Sequence, residues 1–463
     1  MSSSNMNKPI GWLLVVTTIS VALAEWSGVA AIWRYVDILV IPLLLLLSTR
    51  VSWKRGIFLL VGLGLAVAAV FIRRDWMEIT EGGLHSAAVI VAFFSALATL
   101  RYAAASSIAI QTCGRFLAQQ PPGRRYAALT VGGQMFGMLL NYGALGLLGS
   151  LAETNARLET NAEIRGHRIR RMLLAIQRGF VSTLPWSPLA FAMAISTSLV
   201  PGASWADAVG PCLVSGLILA GIGWALDTIF KPRLSVPAPQ RTVPEGTWLS
   251  LWPLVALLAI LIVSVGTLQI VSGVRTIGVV MLIVPVLSFT WIAVQNSKEN
   301  PLGKAAGQAV SFISDELPNY SSAIVLLMMA GFIGTLGSHL LAPQIAASGI
   351  DLSAIPAWQI LVALLWIIPL TGQIGMNPIL SVSLLAPMLP EAAAMGVSPA
   401  DIIAALTAGW ALSGASSPFT ATTLLIGSLG KVSAFHVGLR WNGVYVLVSG
   451  VALSFWVAAL AIL

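Results

Sequence analysis

Charge is what this chain has least of. Only 9% of its 463 residues are Asp, Glu, Lys or Arg, against 57% hydrophobic, and the mean hydropathy is +0.89. So few charges cannot cover a soluble domain of this size with a polar surface, so lipid must be the solvent for much of it. Cysteine is scarce as well. Cys113 and Cys212 both lie in or beside apolar runs, which excludes a disulfide framework and a metal-ligand spacing. Of the four histidines, His85, His167, His339 and His436, none sits in a paired motif, and no glycine-rich phosphate loop with its lysine is present. Chemistry on a substrate needs a nucleophile, a base or a metal set. We therefore expect no enzyme, no catalytic residues, no resident metal and no cofactor. A membrane-embedded enzyme acting on a lipid-linked substrate is the remote alternative. The net charge of +8 fits a nucleic-acid partner on paper, yet the basic residues sit in short loops between apolar runs, where they set topology. No nucleic acid is expected.

What is present is a succession of apolar runs, at 10–33, 36–49, 57–72 and 86–110, then 208–230, 247–270, 276–296, 318–342 and 442–463. Most approach the roughly 20 residues that cross about 30 Å of hydrocarbon. Lys8 precedes the first run, Arg50, Lys54 and Arg55 follow the second, and Arg115, Arg124 and Arg125 follow the fourth. The positive-inside rule then predicts a cytoplasmic N-terminus in a multi-pass protein of a bacterial-type inner membrane. Glu25-Trp26 rather than a small-residue cleavage pattern follows Ile10 to Ala24, so this run reads as a retained first span. Trp33, Trp53, Trp76, Trp205, Trp248 and Trp441, near predicted span ends, form an aromatic belt in contact with membrane lipid.

Two further segments recur in both halves. Gly133-Gln134, followed by a Gly-Met and then Asn141, matches Gly372-Gln373, followed by a Gly-Met and Asn377. Downstream, Gly179 stands eight residues before Ser187-Pro188, and Gly409 eight before Ser417-Pro418. Hydrophobic segments broken by Gly, Pro and Asn at corresponding places in two halves point to a midplane binding site of a transporter. The segment 126–152 has arginines at both ends and is too short for two spans, so it enters and leaves by the cytoplasm as a re-entrant hairpin. The segment 355–390 is flanked by Asp351 and Glu391, so the second hairpin opens from outside. Broken helices are expected at 171–200, with Pro185 and Pro188 at the break, and at 402–430, with Pro418 at the break. Pro378 follows the second hairpin tip.

The run from Asn377 through Ala386-Pro387 resembles the hairpin-tip motif of the ion transporter superfamily, in particular its divalent-anion sodium symporters of the citrate and dicarboxylate type. Ser413 to Gly427 is similar to that family's broken helix, although Gly375-Met376-Asn377 and Leu140-Asn141-Tyr142 stand where the family has Ser-Asn-Thr. The resemblance implies two inverted repeats, each with scaffold helices and a hairpin-plus-broken-helix transport unit, in a homodimer working by an elevator motion. The expected fold class is an all-α polytopic membrane protein of two inverted repeats, with about 11 transmembrane helices, two re-entrant hairpins and two broken helices. Its parts are an extra helix at 1–33, a first repeat at 34–230, a cytoplasmic linker at 231–246 and a second repeat at 247–463.

Half-helix N-termini at hairpin tips and breaks carry partial positive charge, and neither hairpin nor break contains Asp or Glu. Both favour a small anionic organic solute as cargo. The candidate substrate- and ion-binding residues are Asn141, Ser187, Asn377, Ser381, Ser416, Ser417 and Thr420, with Gln134 and Gln373 nearby. Backbone carbonyls at the hairpin tips could hold Na⁺, so the coupling ion is Na⁺ or H⁺. Arg178 is a candidate for meeting the anion from inside, with an inner-leaflet anchor as the other reading, while Arg101 is expected to snorkel to the inner surface. Trp186 and Trp410, beside the breaks, either wall the cavity or pack in the core. The expected function is ion-coupled secondary active transport, with the large membrane subunit of a binding-protein-dependent tripartite transporter as the alternative.

Overall fold

A computed structural model describes residues 6–51, 53–232, 234–235, 246–296, 300–347 and 352–462. Arg233, Arg241 and most of the expected linker, together with Lys298 and Asp351, lie outside the described residues. Lipid offers the backbone no partner, so spanning segments must satisfy their own N–H and C=O groups as helices. Among the described residues there are helices and no strands, and nine helical stretches are long and apolar enough to cross a membrane. The chain is an all-α polytopic membrane protein.

The first half holds α1 (Asn7–Ser27), α2 (Ala30–Ser48), α3 (Trp53–Ile72), α4 (Trp76–Ala105) and the short α5 (Ile108–Ala118). A hairpin follows, α6 (Arg125–Leu140) and α7 (Gly143–Arg157), then a broken pair, α8 (Ala162–Thr183) and α9 (Phe191–Leu199), and α10 (Trp205–Ile229). The second half holds α11 (Trp252–Ser272), α12 (Thr276–Gln295), the short α13 (Pro301–Ser311) and α14 (Ser321–Ala347). Its hairpin is α15 (Ala357–Gln373) and α16 (Pro378–Leu385), followed by the single turn α17 (Ala392–Met395). The broken pair α18 (Pro399–Ser416) and α19 (Ala421–Gly430) and the last helix α20 (Gly443–Leu460) complete it. Hairpin, broken pair and final helix thus recur in order. The short helix does not: it follows α4 in one half and precedes α14 in the other.

Two boundaries differ from the sequence expectation. The run read as 10–33 ends at Ser27, because Gly28 takes a left-handed φ of 66° and its N–H closes on the Ala24 carbonyl at 3.1 Å. A hydropathy window passes over a single glycine in this conformation. Helix α4 begins at Trp76 instead of near 86; Glu78 lies in its first turn, where a carboxylate favours the helix N-terminus rather than ending the span.

Helix α4 is the centre of one group, packing on α1, α2, α3, α12 and α14. Its crossing with α14 uses small residues: a Cβ on Gly83 would stand 2.8 Å from the Phe332 ring, and the Ser86 and Thr335 hydroxyls hydrogen-bond at 2.9 Å. Close backbone approach of this kind holds helices together where lipid removes the hydrophobic drive. Around the outside, Ile38, Leu45, Leu217, Val263 and Phe455 are each more than 60% exposed, the surface expected of helices facing acyl chains.

Candidate functional site

The repeated glycines mark where each hairpin is pressed onto its broken helix. A Cβ on Gly133 of α6 would lie 2.6 Å from the Ile176 carbonyl oxygen of α8, and one on Gly179 of α8 would collide with the Thr130 carbonyl of α6. In the second half, a Cβ on Gly409 of α18 would lie 2.8 Å from the Leu365 carbonyl oxygen of α15. Only glycine lets two backbones approach so closely. The glutamines beside these glycines stitch the same interfaces. Gln134 Nε2 donates to Ser182 Oγ at 2.9 Å, and Gln373 Nε2 donates to Ser416 Oγ at 3.2 Å.

At the first hairpin tip Asn141 adopts φ 50°, a conformation that Asn tolerates better than most residues, and its N–H returns to the Gly137 carbonyl at 3.0 Å. The second tip turns at Gly375, φ 93°, and Asn377 then caps α16 by accepting the Ile379 N–H at 2.9 Å, with Pro378 at the first helical position. The second break is held by hydroxyls. Ser417 Oγ donates to the Gly372 carbonyl at 2.6 Å, joining break to hairpin, while Thr420 and Thr423 donate to the Ser417 carbonyl at 2.9 and 2.6 Å. Thr422 donates to the Gly414 carbonyl. These bonds satisfy carbonyls that the interrupted helix leaves open. Neither Tyr142, ahead of α7, nor Thr420, ahead of α19, caps its helix with a side chain.

Between these features lies a cavity of about 440 Å³. Asn141 and Tyr142 of the first tip, Gly375 to Ile379 of the second, and Ser417, Thr420 and Thr422 of the second break all line it. Its walls are largely apolar, with the aromatic rings of Phe94, Phe191, Tyr320, Trp410 and Phe419 among them. Of the residues expected from sequence, Asn141, Asn377, Ser417, Thr420 and Pro378 therefore come together here. The others do not. Gln134, Gln373 and Ser416 are spent on the helix crossings above. Ser381 Oγ meets Thr371 Oγ1 at 3.1 Å behind the tip, and Ser187 is buried at the first break, where its Oγ accepts the Leu189 N–H at 3.3 Å. Pro185, Pro188 and Pro418 sit at the breaks without lining the cavity, and Trp186, unlike Trp410, is outside it.

Arg101, and not Arg178, is the arginine that lines the cavity. Arg178 is 5% exposed and lies outside the cavity. Its guanidinium donates to Asn442 Oδ1 at 3.0 Å, the Tyr126 hydroxyl at 3.2 Å and the Trp441 carbonyl at 3.3 Å, and it stacks over the Tyr445 ring at 4.6 Å. Instead of lining the cavity, it clamps α8 to α6 and to α20. Arg101, by contrast, lines the cavity, its guanidinium 5.0 Å over the Tyr320 ring. Among the described residues no carboxylate pairs with it, and no Asp, Glu or His lines the cavity. The available signal was an arginine several residues inside a long apolar run without an acidic partner. A cationic group, an uncapped helix N-terminus at Thr420 and neutral hydroxyls and amides make this a cavity of one electrostatic sign, suited to an anion. No group of three or more His, Cys, Asp and Glu side chains that could hold a metal ion occurs among the described residues.

No protein-family model matches the sequence, and no curated protein matches it either. Solved structures do. The YdaH transporter of Alcanivorax borkumensis superposes with a TM-score of 0.55 at 13% identity, covering 88% of this chain and 98% of that one. MtrF of Neisseria gonorrhoeae, described as illuminating a class of antimetabolite efflux pumps, superposes with a TM-score of 0.51 at 14% identity, covering 87% and 94%. This chain has their fold. At these identities the fold is what is shared, and it runs through the whole of both relatives rather than one piece of them.

Proposed function

We propose that the chain is an ion-coupled secondary transporter of a small organic anion. The observation that carries this reading is Arg101, a cation without a carboxylate partner, in a cavity where both hairpin tips and a helix break meet. A half-buried guanidinium without a counter-ion is costly, and a bound anion supplies the missing charge. One arginine among apolar walls favours a monoanion with an apolar body over a dicarboxylate. The volume of about 440 Å³ lies within the usual range for small-molecule sites, about 300–1,000 Å³. The two solved structures named above, which share this fold, are described as a transporter and as one of a class of efflux pumps, which supports transport over catalysis.

In this reading the cell inner membrane holds the protein with its N-terminus cytoplasmic, the two halves are inverted repeats of the ion transporter superfamily type, and the hairpins are re-entrant. Coupling falls to Na⁺ in preference to H⁺: the cavity is lined by the neutral side chains of Asn141, Asn377 and Thr420 and by no carboxylate or imidazole to take a proton. Each hairpin moves with its broken helix, because the glycine crossings leave no room for one to shift without the other. The boundary with the scaffold in this reading runs between α14 and α16, where a Cβ on Gly334 would collide with the side chain of Ser383; an elevator motion in a homodimer has to part this close crossing.

The test is the melting temperature of the purified protein against a panel of aromatic and aliphatic monocarboxylates, sulfonates, dicarboxylates and inorganic oxyanions, in Na⁺ and in K⁺. A ligand at one hundred times its Kd stabilises the folded state by about 2.7 kcal/mol. The expected result is a rise with monoanions of apolar body, larger in Na⁺. A rise confined to dicarboxylates or inorganic oxyanions, or no rise with any anion in either salt, overturns the reading.

A further inference from the structure

A second cavity, of about 280 Å³, opens where the base of the first hairpin meets the start of the first broken helix and the end of α10. Arg125 and Tyr126 face it from α6, and His167, Arg168 and Arg171 from α8. Residues 164, 167, 168 and 171 follow the three- and four-residue spacing of one helix face, so these basic groups converge by construction. The pairing is incomplete at one of them. Arg171 is held by Asp227, with Nε–Oδ1 2.8 Å and Nη2–Oδ2 2.6 Å, and Arg168 by Glu159 at 3.0 Å. Glu163, the remaining acid nearby, accepts the Ser235 N–H at 3.1 Å instead. Arg125 donates only through Nε, to the Gln120 carbonyl at 2.6 Å. Among the described residues its two terminal nitrogens have no partner and no carboxylate pairs with it.

We propose that this cavity binds a phosphate group, presented either by a soluble phosphate compound or by the headgroup of an anionic phospholipid. The two terminal nitrogens of Arg125 face the cavity together with the N–H groups of Arg168 and Arg171 that Glu159 and Asp227 leave unshared, and Arg matches phosphate in geometry as well as charge. Basic pockets between helices at a membrane face are where lipid phosphates are taken. A phosphate here bridges α6 to α8, and through the Tyr126 hydroxyl, which accepts from Arg178 at 3.2 Å, it abuts the clamp that reaches α20. Binding therefore stiffens the base of one hairpin and broken-helix unit from outside the main cavity. The proposal does not depend on what that cavity carries.

The experiment measures thermal stability of the full chain with two probes. Inorganic phosphate is titrated in detergent against chloride at matched ionic strength, and nanodiscs of phosphatidylglycerol are compared with nanodiscs of phosphatidylcholine. A saturable rise with inorganic phosphate identifies a soluble ligand, and a rise confined to phosphatidylglycerol identifies a lipid headgroup; either supports the site. Arg125→Gln should need about tenfold to a hundredfold more probe for the same rise, the loss expected for a charged hydrogen bond. Arg125→Lys, which keeps the charge but not the fork, should fall between and serves if Arg125→Gln does not insert. No rise with either probe, or a rise unchanged in both variants, overturns the proposal.

Discussion

Arg101→Gln separates binding from folding. In the wild type a carboxylate placed about 4 Å from the guanidinium gains on the order of 4 kcal/mol at an effective dielectric of about 20. Stripping water from both ions leaves about 1.5–3 kcal/mol, the usual net for a hydrogen bond to a charged group. Affinity for the anion should therefore fall about tenfold to 150-fold. Stability should hardly move. Arg101 makes no ion pair among the described residues; its guanidinium lies 5.0 Å over the Tyr320 ring and packs beside Gly143, the first residue of α7. The ring contact is worth about 0.5–1 kcal/mol, offset by removing a half-buried charge. The assay is a ligand titration read by melting temperature, run beside the unliganded melt of both proteins. An unchanged affinity, or the same loss for an uncharged analogue of the ligand, refutes the electrostatic argument. A large fall in the unliganded melting temperature refutes the claim that Arg101 has no structural partner.

Asn141→Ala and Asn377→Ala should abolish solute uptake into proteoliposomes while leaving the protein inserted; the second also loses a helix cap worth about 1 kcal/mol, and normal uptake in both would remove the hairpin tips from the site. Arg178→Gln should do the reverse of Arg101→Gln: loss of bonds to Asn442, Tyr126 and Trp441 leaves buried groups unsatisfied at a cost of about 2–4 kcal/mol, seen as a lower melting temperature with the solute Kd unchanged. Gly179→Val drives a side chain into the Thr130 backbone of α6 and should cost about 1–3 kcal/mol or more through overpacking; a melting temperature equal to wild type would show that the two helices are free to part.

Much of the architecture was legible because its determinants are backbone signals. Gly133, Gly179, Gly372 and Gly409 sit at close helix approaches, and Asn141, Pro378 and Pro418 at tips and a break, so their spacing carried geometry directly. The side chains of the site were less legible, because which face of a helix meets the cavity is set by partners far away in sequence. Ser416 and Ser417 are neighbours of the same chemistry, yet Ser416 Oγ donates back to the Leu412 carbonyl at 2.8 Å, bound also by Gln373, while Ser417 reaches the cavity. Arg101 and Arg178 look alike in an apolar run. What distinguishes them is that Tyr126, Trp441 and Asn442, at most 264 residues away, converge on Arg178 alone. The duplicated pattern also overstated the symmetry of the site: Ser187 and Ser417 hold matching places in the two halves, but only Ser417 lines the cavity.

That asymmetry bears on how an anion is held and let go. The neutral groups, Asn141, Asn377 and Thr420, belong to the tips and the second break, whereas the positive charge belongs to α4, which packs mainly with α1, α2, α12 and α14 and more lightly with α3 and α6. Under the proposed function the solute is gripped between two helix groups, amide and hydroxyl on one side and guanidinium on the other. Under the proposed motion the tips and break travel together while α4 stays, so the solute keeps its neutral hydrogen bonds and gives up its counter-ion. A contact of about 1.5–3 kcal/mol present in one state and absent in the other is enough to hold the anion at one face and weaken it about tenfold to 150-fold at the other. Placing the arginine on the scaffold rather than on the moving unit makes release a consequence of the movement itself.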